Sequence, residues 1–153
     1  MKKIGTCCFE KSGLEEIVLP ASVKEIGARA FYYCKQLKNV RLNEGLEKLG
    51  NNAFTWSTIT SVRIPSTLKR IENETFQGCN SLKSIEILSG LEYIGNNCFW
   101  YSDISEITLP STLRKMDEYA FRNCKTLKTV WVEEGCAVDV RKYVGDSVEV
   151  RFK

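Results

Sequence analysis

Six phenylalanines recur along the chain at nearly constant spacing, at positions 9, 31, 54, 76, 99 and 121. The gaps between them alternate between 22 and 23 residues, so two units together span 45 residues. The residues before each phenylalanine also recur, as in Ile26-Gly27-x-x-Ala30-Phe31 and Leu49-Gly50-x-x-Ala53-Phe54. A period of this length is the signature of a repeat architecture, in which each unit buries its apolar side only against its neighbours.

An apolar triplet follows each phenylalanine, for example Leu37-x-x-Val40-x-Leu42 and Leu82-x-x-Ile85-x-Ile87. The alternation of apolar and polar residues predicts a short strand with one buried face. The segment 50–54 has a glycine followed by asparagine at a capping position, which predicts a single turn of helix. Stacking the units predicts continuous columns of phenylalanine, leucine and isoleucine, with Phe54 and Phe76 one above the other.

The combined pattern, L-x-x-I-x-L-P-x-x-L-x-x-I-G-x-x-A-F-x-x-C, resembles the BspA-type (treponemal-type) leucine-rich repeat of bacteria and covers residues 1 to about 136. The resemblance implies an α/β leucine-rich-repeat solenoid, right-handed and horseshoe-like. Short parallel strands would lie on its concave face, with short helical turns and extended segments on its convex side. It also implies a non-catalytic protein-binding or adhesion module of a bacterial surface or secreted protein, and it supplies no catalytic residues.

The two ends of the chain differ from the regular pattern. Residues 1–136 form about six repeats that start in the middle of a repeat, with Met1 in a leucine column. We expect either that the chain was cut from a longer protein or that residues 1–9 fray and associate, which leaves self-association through this end open. Residues 137–153 are predicted to form a C-terminal cap, with a short helix over 138–144 and a final strand at 148–150 that covers the sheet edge.

The composition excludes several classes of function. The chain has no histidine, so it cannot build Ser-His or Cys-His nucleophile pairs or the usual zinc sites. The net charge of +3 is small and acidic residues interrupt the basic ones, which argues against nucleic acid as a partner. No apolar run approaches the ~20 residues that span a bilayer, so no membrane insertion is expected. We therefore predict no enzyme, no cofactor and no metal, with a protein ligand as partner.

Seven cysteines raise the question of disulfides. Cys34, Cys79 and Cys124 share one repeat position, 45 residues apart, with serine at that position in the repeats between them. Parallel strands two repeats apart are separated by ~10 Å, and a disulfide tolerates a Cα separation of up to ~7 Å, so these three cannot pair with one another. Four further cysteines are predicted by register, Cys8 and Cys98 as buried and Cys7 and Cys136 as exposed.

Two surfaces are candidate binding sites. The first is the outward-facing side of the strands, here called the strand face. Its predicted binding residues are Lys38, Arg41, Arg63, Glu86, Thr108 and Trp131. Trp131 is predicted as a large exposed aromatic, and arginine and tryptophan dominate binding hot spots. Arg41 and Arg63 are predicted to stack as neighbours, with a repulsion that a partner or Glu86 would offset. An ordinary solvated sheet face is the alternative.

The second surface follows the phenylalanines and is here called the aromatic edge. Its members are Tyr32, Tyr33, Trp56, Trp100 and Tyr101. Their spacing places them along one edge of the stack, and exposed aromatic clusters usually contact a partner. The alternative is that these rings pack over their neighbours and cover the core.

Overall fold

The computed structural model describes residues 2–153, so the predicted place of Met1 in a leucine column lies outside the described residues. The chain winds into a parallel-strand solenoid of about seven turns. Each coil runs through a longer strand, a turn, a two-residue strand and a second, longer turn segment that carries the phenylalanine.

The six longer strands coincide with the predicted apolar triplets. They are β2 (Glu16–Val18), β4 (Asn39–Arg41), β6 (Ser61–Ile64), β8 (Ser84–Ile87), β10 (Glu106–Leu109) and β12 (Thr129–Val132). All of their pairings are parallel, in the orders β2-β4-β6-β8 and β10-β12. In β6 and β8 every second side chain is buried, as expected for strands with one face on the core. The strand prediction is confirmed.

A second series of strands was not predicted. It consists of β1 (Lys3–Ile4), β3 (Glu25–Ile26), β5 (Lys48–Leu49), β7 (Arg70–Ile71), β9 (Tyr93–Ile94) and β11 (Lys115–Met116). These pair in parallel as β1-β3-β5 and β7-β9-β11. Two residues are too few for an alternating pattern to be recognised, so the sequence alone does not distinguish these strands from turns.

The predicted helical turns are wrong, and the backbone shows why. Asn52 and Trp56 adopt left-handed backbone angles, with φ of 58° at both residues, which a right-handed helix does not accommodate. The amides of Asn52, Phe54 and Trp56 donate to carbonyls of the next coil at 2.8–3.0 Å. The intervening amides bond to the carbonyl three residues back. Three of the five amides from Asn52 to Trp56 therefore link one coil to the next instead of closing a helix.

The phenylalanines form the centre of the core. Successive rings from Phe9 to Phe121 stack with centroids 5.2–5.8 Å apart and interplanar angles of 2–9°. Phe54 and Phe76 lie one above the other at 5.7 Å, as predicted. Both are fully buried, whereas Phe9, which has one ring neighbour, is partly exposed.

Close approach of successive coils explains the glycine that precedes most phenylalanines. A Cβ placed at Gly50 would lie 2.5 Å from the backbone nitrogen of Ala28 on the preceding coil. No side chain fits in that space, so glycine allows the two turns to meet.

The chain closes with one more strand. β13 (Glu149–Phe152) pairs in parallel with β12 and places Arg151 beside Trp131. This confirms the predicted final strand. In place of the predicted helix over 138–144, the structure has a 3₁₀ helix at Val140–Lys142, whose N-cap residue Asp139 makes no side-chain capping bond. It is the only helix among residues 2–153. The boundary of the cap at residue 137 stays a prediction.

Candidate functional site

The strand ladders place the predicted strand-face residues in columns. Thr108 lies opposite Trp131, and Arg63 lies opposite Glu86. Val18 and Arg41 are also paired, and Val18 is exposed. These side chains all point away from the core because they alternate with the buried positions of the same strands.

The two arginines have different surroundings. The ladder between β4 and β6 is limited to the pair Asn39 and Ser61, so it does not hold Arg41 against Arg63 as predicted. The guanidinium of Arg63 instead forms ion pairs with Glu86 at 3.2 Å and Glu44 at 3.6 Å. Exposed pairs of this kind contribute ~0–1 kcal/mol. Glu86 thus pairs with Arg63, while the repulsion between Arg41 and Arg63 that it was predicted to offset stays a prediction.

Arg41 is one of the free cations of the strand face among the described residues. Its side chain is exposed and has no ion-pair partner within residues 2–153. Lys38, on the preceding column, is likewise exposed and unpaired in this part of the chain. Because Arg41 and Lys38 are not held in ion pairs, a partner can bind their charges without first breaking an existing contact, as it would have to do at Arg63.

Trp131 is half-buried, not fully exposed as predicted, because the last strand covers part of its ring. The Arg151 guanidinium lies 5.2 Å from the ring centroid and the Lys153 ammonium 5.6 Å from it. The indole Nε1 donates to Glu106 at 3.4 Å, and Lys153 Nζ donates to the Thr108 hydroxyl at 3.1 Å. Sequence reasoning missed Arg151 and Lys153 because β13 lies outside the phenylalanine period.

Strand pairing is interrupted beside this tryptophan. Within the described residues the ladders of β8 and β10 belong to separate sheets. A shallow groove lies over the interruption. It is lined by Ser84, Ser105, Glu106, Thr108, Trp131 and Lys153, among others. Small hydroxyl side chains therefore line one part of the groove, and the Trp131 ring lines another.

The aromatic edge contains an unusual backbone feature. Tyr33, Trp56 and Tyr101 all stand two residues after a phenylalanine, and their φ angles are 57°, 58° and 57°. The same repeat position is Lys11, Gly78 and Asn123 in the other coils, also with positive φ. A left-handed backbone conformation is unfavourable by ~1–2 kcal/mol for residues that have a side chain. The cost is smallest for asparagine, and glycine adopts this conformation without strain. Three coils thus carry a large aromatic where a small residue would be favoured.

The rings of this edge cover each other only in part. Tyr33 is 45% exposed and Tyr101 is 42% exposed. Lys35 places its ammonium 4.4 Å from the Tyr33 ring centroid and 5.6 Å from that of Trp56. The edge therefore includes exposed rings, contrary to the alternative in which all of them cover the core.

Gly78 accommodates the Trp56 ring. A Cβ on Gly78 would lie 2.3 Å from Cε3 of that indole. The indole therefore extends over the neighbouring coil, which has glycine instead of an aromatic residue at this repeat position. The two remaining predicted members lie one residue earlier in their coils. Tyr32 packs under the guanidinium of Arg29 at 4.5 Å, and the Trp100 ring lies 4.7 Å from that of Tyr101.

The cysteine column is built from alternating thiols and hydroxyls. Cys79 Sγ donates to the Phe54 carbonyl at 3.1 Å and lies 3.5 Å from the Ser57 hydroxyl. The pairs Ser12–Cys34 and Ser102–Cys124 repeat this arrangement at 3.5 and 3.6 Å. Burial raises the pKa of Cys79 to about 12 and that of Cys124 to about 11, so at neutral pH both are protonated and weak nucleophiles.

The remaining thiols lie partly where the register places them. All seven cysteines are unpaired, with Cys98 buried and Cys7 exposed as predicted. Cys8 is exposed although it occupies the small core position of the repeat, so that prediction is wrong. Cys136 is half-buried, not exposed. Residues 2–153 contain no group of His, Cys, Asp or Glu side chains that could hold a metal ion.

Within residues 2–153, no helix is long and apolar enough to cross a bilayer.

Comparison with known proteins gives the same repeat. The model of the BspA type leucine-rich repeat region matches residues 2–128 with six copies. No curated protein sequence matches. Among solved structures, a leucine-rich repeat protein from Bacteroides ovatus ATCC 8483 is 24% identical, with a TM-score of 0.76 over 100% of this chain and 46% of that one. The leucine-rich repeat protein of T. pallidum is 25% identical, with a TM-score of 0.79 over 97% of this chain and 73% of that one.

A leucine-rich cell surface protein from Faecalibacterium prausnitzii A2-165 is also similar, at 24% identity and a TM-score of 0.65, over 90% of this chain and 45% of that one. The chain thus spans less than half the length of the B. ovatus and F. prausnitzii proteins. At sequence identities below 25%, these structural similarities establish the fold alone. The repeat match covers most of the chain, and on that basis the protein belongs to the BspA-type leucine-rich repeat family.

Proposed function

We propose that this chain is a non-catalytic protein-binding or adhesion module whose partner docks on the strand face. The observation that carries the proposal is that the strand face presents an exposed Arg41, with no ion-pair partner among residues 2–153, in one of its sheets and a partly exposed Trp131 in the other. Arginine and tryptophan are enriched among the few residues that dominate interface energies. Leucine-rich-repeat solenoids of this family are generally non-enzymatic, which agrees with a binding role.

We place the module in a bacterial surface or secreted protein. The support is the similarity to the F. prausnitzii protein, which is a cell surface protein.

The binding test uses one disabled variant and one matched control. Pull-down from host matrix and bacterial surface material identifies proteins that the wild type retains, and the purified partner is then titrated against three forms of the chain. A variant with Arg41→Ala, Arg63→Ala and Trp131→Ala should bind at least about tenfold more weakly. Lys48→Ala removes an exposed cation of the short-strand side that has no ion-pair partner in the described part of the chain, and this variant should bind as the wild type does. Equal affinity of the triple variant and the wild type would move the site elsewhere.

A second candidate is a structural spacer within a longer surface protein. It is favoured by the fact that the chain spans 46% and 45% of two structurally similar proteins. A spacer would retain no specific protein in the pull-down, and another solenoid block of the same length could replace it without loss of the parent protein's activity.

A further inference from the structure

We propose that the aromatic edge is a binding site for an extended, β-1,4-linked polysaccharide. This site is separate from the strand face, so it goes beyond the protein-binding role proposed above. Its stacking residues are Tyr33, Trp56 and Tyr101, and the Trp56 ring packs against Gly78.

The first argument is that the aromatics are placed at a cost to the fold. Each of the three stands in a left-handed backbone conformation that asparagine or glycine would adopt more readily, as Asn123 and Gly78 do at the same repeat position. Tyr33 and Tyr101 leave 45% and 42% of their surfaces exposed, so the cost is not offset by full burial. Backbone strain combined with exposed aromatic surface is typical of ligand-binding positions.

The second argument is continuity. Among the four coils from Tyr33 to Tyr101, only the third has no aromatic at this position. Trp56 extends its indole over Gly78 and fills that place. The four coils therefore carry three aromatic side chains at this position, and the Trp56 ring lies over the glycine of the remaining coil. We call these four positions the strip.

The third argument is a polar row that runs beside the strip. Two residues after each member of the strip stands a polar side chain, namely Lys35, Thr58, Asn80 and Asp103. Asn80 is exposed and Asp103 is paired with Lys83, whereas the exposed Lys35 extends over the strip, with its ammonium 4.4 Å from the Tyr33 ring centroid. Each pyranose ring has an apolar face that stacks on an aromatic ring and a rim of hydroxyls that needs donors and acceptors. The mixed charges of the row favour a neutral glycan over a polyanion.

The fourth argument is the period. The coils advance by 5.2–5.8 Å at the adjacent phenylalanine column. An extended β-1,4-linked chain advances by about one coil, ~5 Å, per sugar, similar to the spacing of strands. A β-strand repeats its side-chain pattern every ~6.7 Å and a polyproline helix every ~9 Å, so the repeat distance of a bound peptide would not match the spacing of the coils. A periodic surface of this kind selects a polymer with the same repeat.

The test is calorimetric titration of the chain with cellohexaose and chitohexaose, with maltohexaose as the α-linked control that does not extend. The wild type should bind at least one β-linked hexamer, and maltohexaose at least about tenfold more weakly. Affinity should rise at least about tenfold from the disaccharide to the tetrasaccharide, because the strip spans four coils. No binding of either β-linked hexamer at millimolar concentration, equal binding of maltohexaose, or an affinity independent of length would overturn the proposal.

The variants separate the site from the fold. Tyr33→Asn, Trp56→Gly and Tyr101→Asn introduce residues that the left-handed position favours, which offsets part of the lost ring contacts, so the combined variant should stay folded and keep the circular dichroism spectrum of the wild type. It should nevertheless lose at least about tenfold in affinity for the β-linked hexamer. Trp131→Ala, on the strand face, should leave that affinity unchanged. Retained binding in the combined variant, or loss in Trp131→Ala, would overturn the assignment while leaving the protein-binding proposal untouched.

Discussion

At the scale of single residues, Gly78 illustrates how one coil adapts to its neighbour. Its backbone has a φ of +66°, and a Cβ would lie 2.3 Å from the Trp56 indole. Two separate effects therefore favour glycine: the left-handed backbone and the ring that covers the residue. The sequence shows Gly78 as a departure from the aromatics of the neighbouring coils, but not that the indole occupies its space.

Gly78→Ala should destabilise the protein by about 2–4 kcal/mol, because the new methyl group displaces the Trp56 ring and the alanine must also adopt a strained left-handed conformation. Gly135→Ala is the matched control. Its φ is +92° but its Cβ would meet only Ser111, at 3.6 Å, so it should cost about 1–2 kcal/mol. Denaturant unfolding of both variants gives the two free energies. Equal losses would mean that the Trp56 ring moves aside without cost.

At the scale of the coil elements, the phenylalanine column shows which contacts depend on neighbours. Phe76 is fully buried between the rings of Phe54 and Phe99, at 5.7 and 5.8 Å. Phe9 stacks on Phe31 alone and is partly exposed. The same residue type in the same repeat position thus differs in the apolar surface it removes from water.

Phe76→Ala should therefore cost about 3–5 kcal/mol of unfolding free energy, as is typical of a buried phenylalanine. Phe9→Ala should cost no more than about half as much, since part of its ring already contacts solvent. Urea titrations followed by circular dichroism measure both. The opposite order would contradict the description of Phe76 as the more deeply packed ring.

The long strands could be predicted from the sequence because three or four alternating residues, as in Ser61–Ile64, are enough to show a period of two. The turn segment could not. Gly50, Asn51 and Asn52 also suit a helix start, and only the neighbouring coil, which accepts the amides of Asn52, Phe54 and Trp56, decides against it. The two candidate surfaces follow from register alone. The contacts of Trp131 with Arg151 and Lys153 depend on where the aperiodic end of the chain returns to the sheet.

At the scale of the whole molecule, the interruptions in the two sheets do not coincide. The longer strands lose their ladder between β8 and β10, and the short strands lose theirs between β5 and β7, within the described residues. Hydrogen bonds between the turn segments connect the coils at both interruptions. The Phe54 amide donates to the Thr75 carbonyl at 3.0 Å, and the Phe76 amide donates to the Cys98 carbonyl at 2.9 Å. The stack therefore has no plane at which all connections between coils are missing.

From this we expect the described solenoid to unfold in one cooperative step. Two single-tryptophan forms test it, W100F/W131F with Trp56 as the reporter and W56F/W100F with Trp131 as the reporter. Their fluorescence transitions in denaturant should each coincide with the loss of circular dichroism in the same form. A transition of Trp131 that precedes the loss of circular dichroism would show that the last coils unfold separately.

The alternation of serine and cysteine gives the stack a parity. Each thiol lies against a hydroxyl from the preceding coil, so the smallest block that can be duplicated without changing these neighbours contains two coils, or 45 residues. Insertion of a single coil would bring two bulky sulfur atoms together or leave two hydroxyls side by side. Recombination that lengthens or shortens such a protein would therefore proceed in even numbers of coils, and a designer who extends it should keep to the same rule.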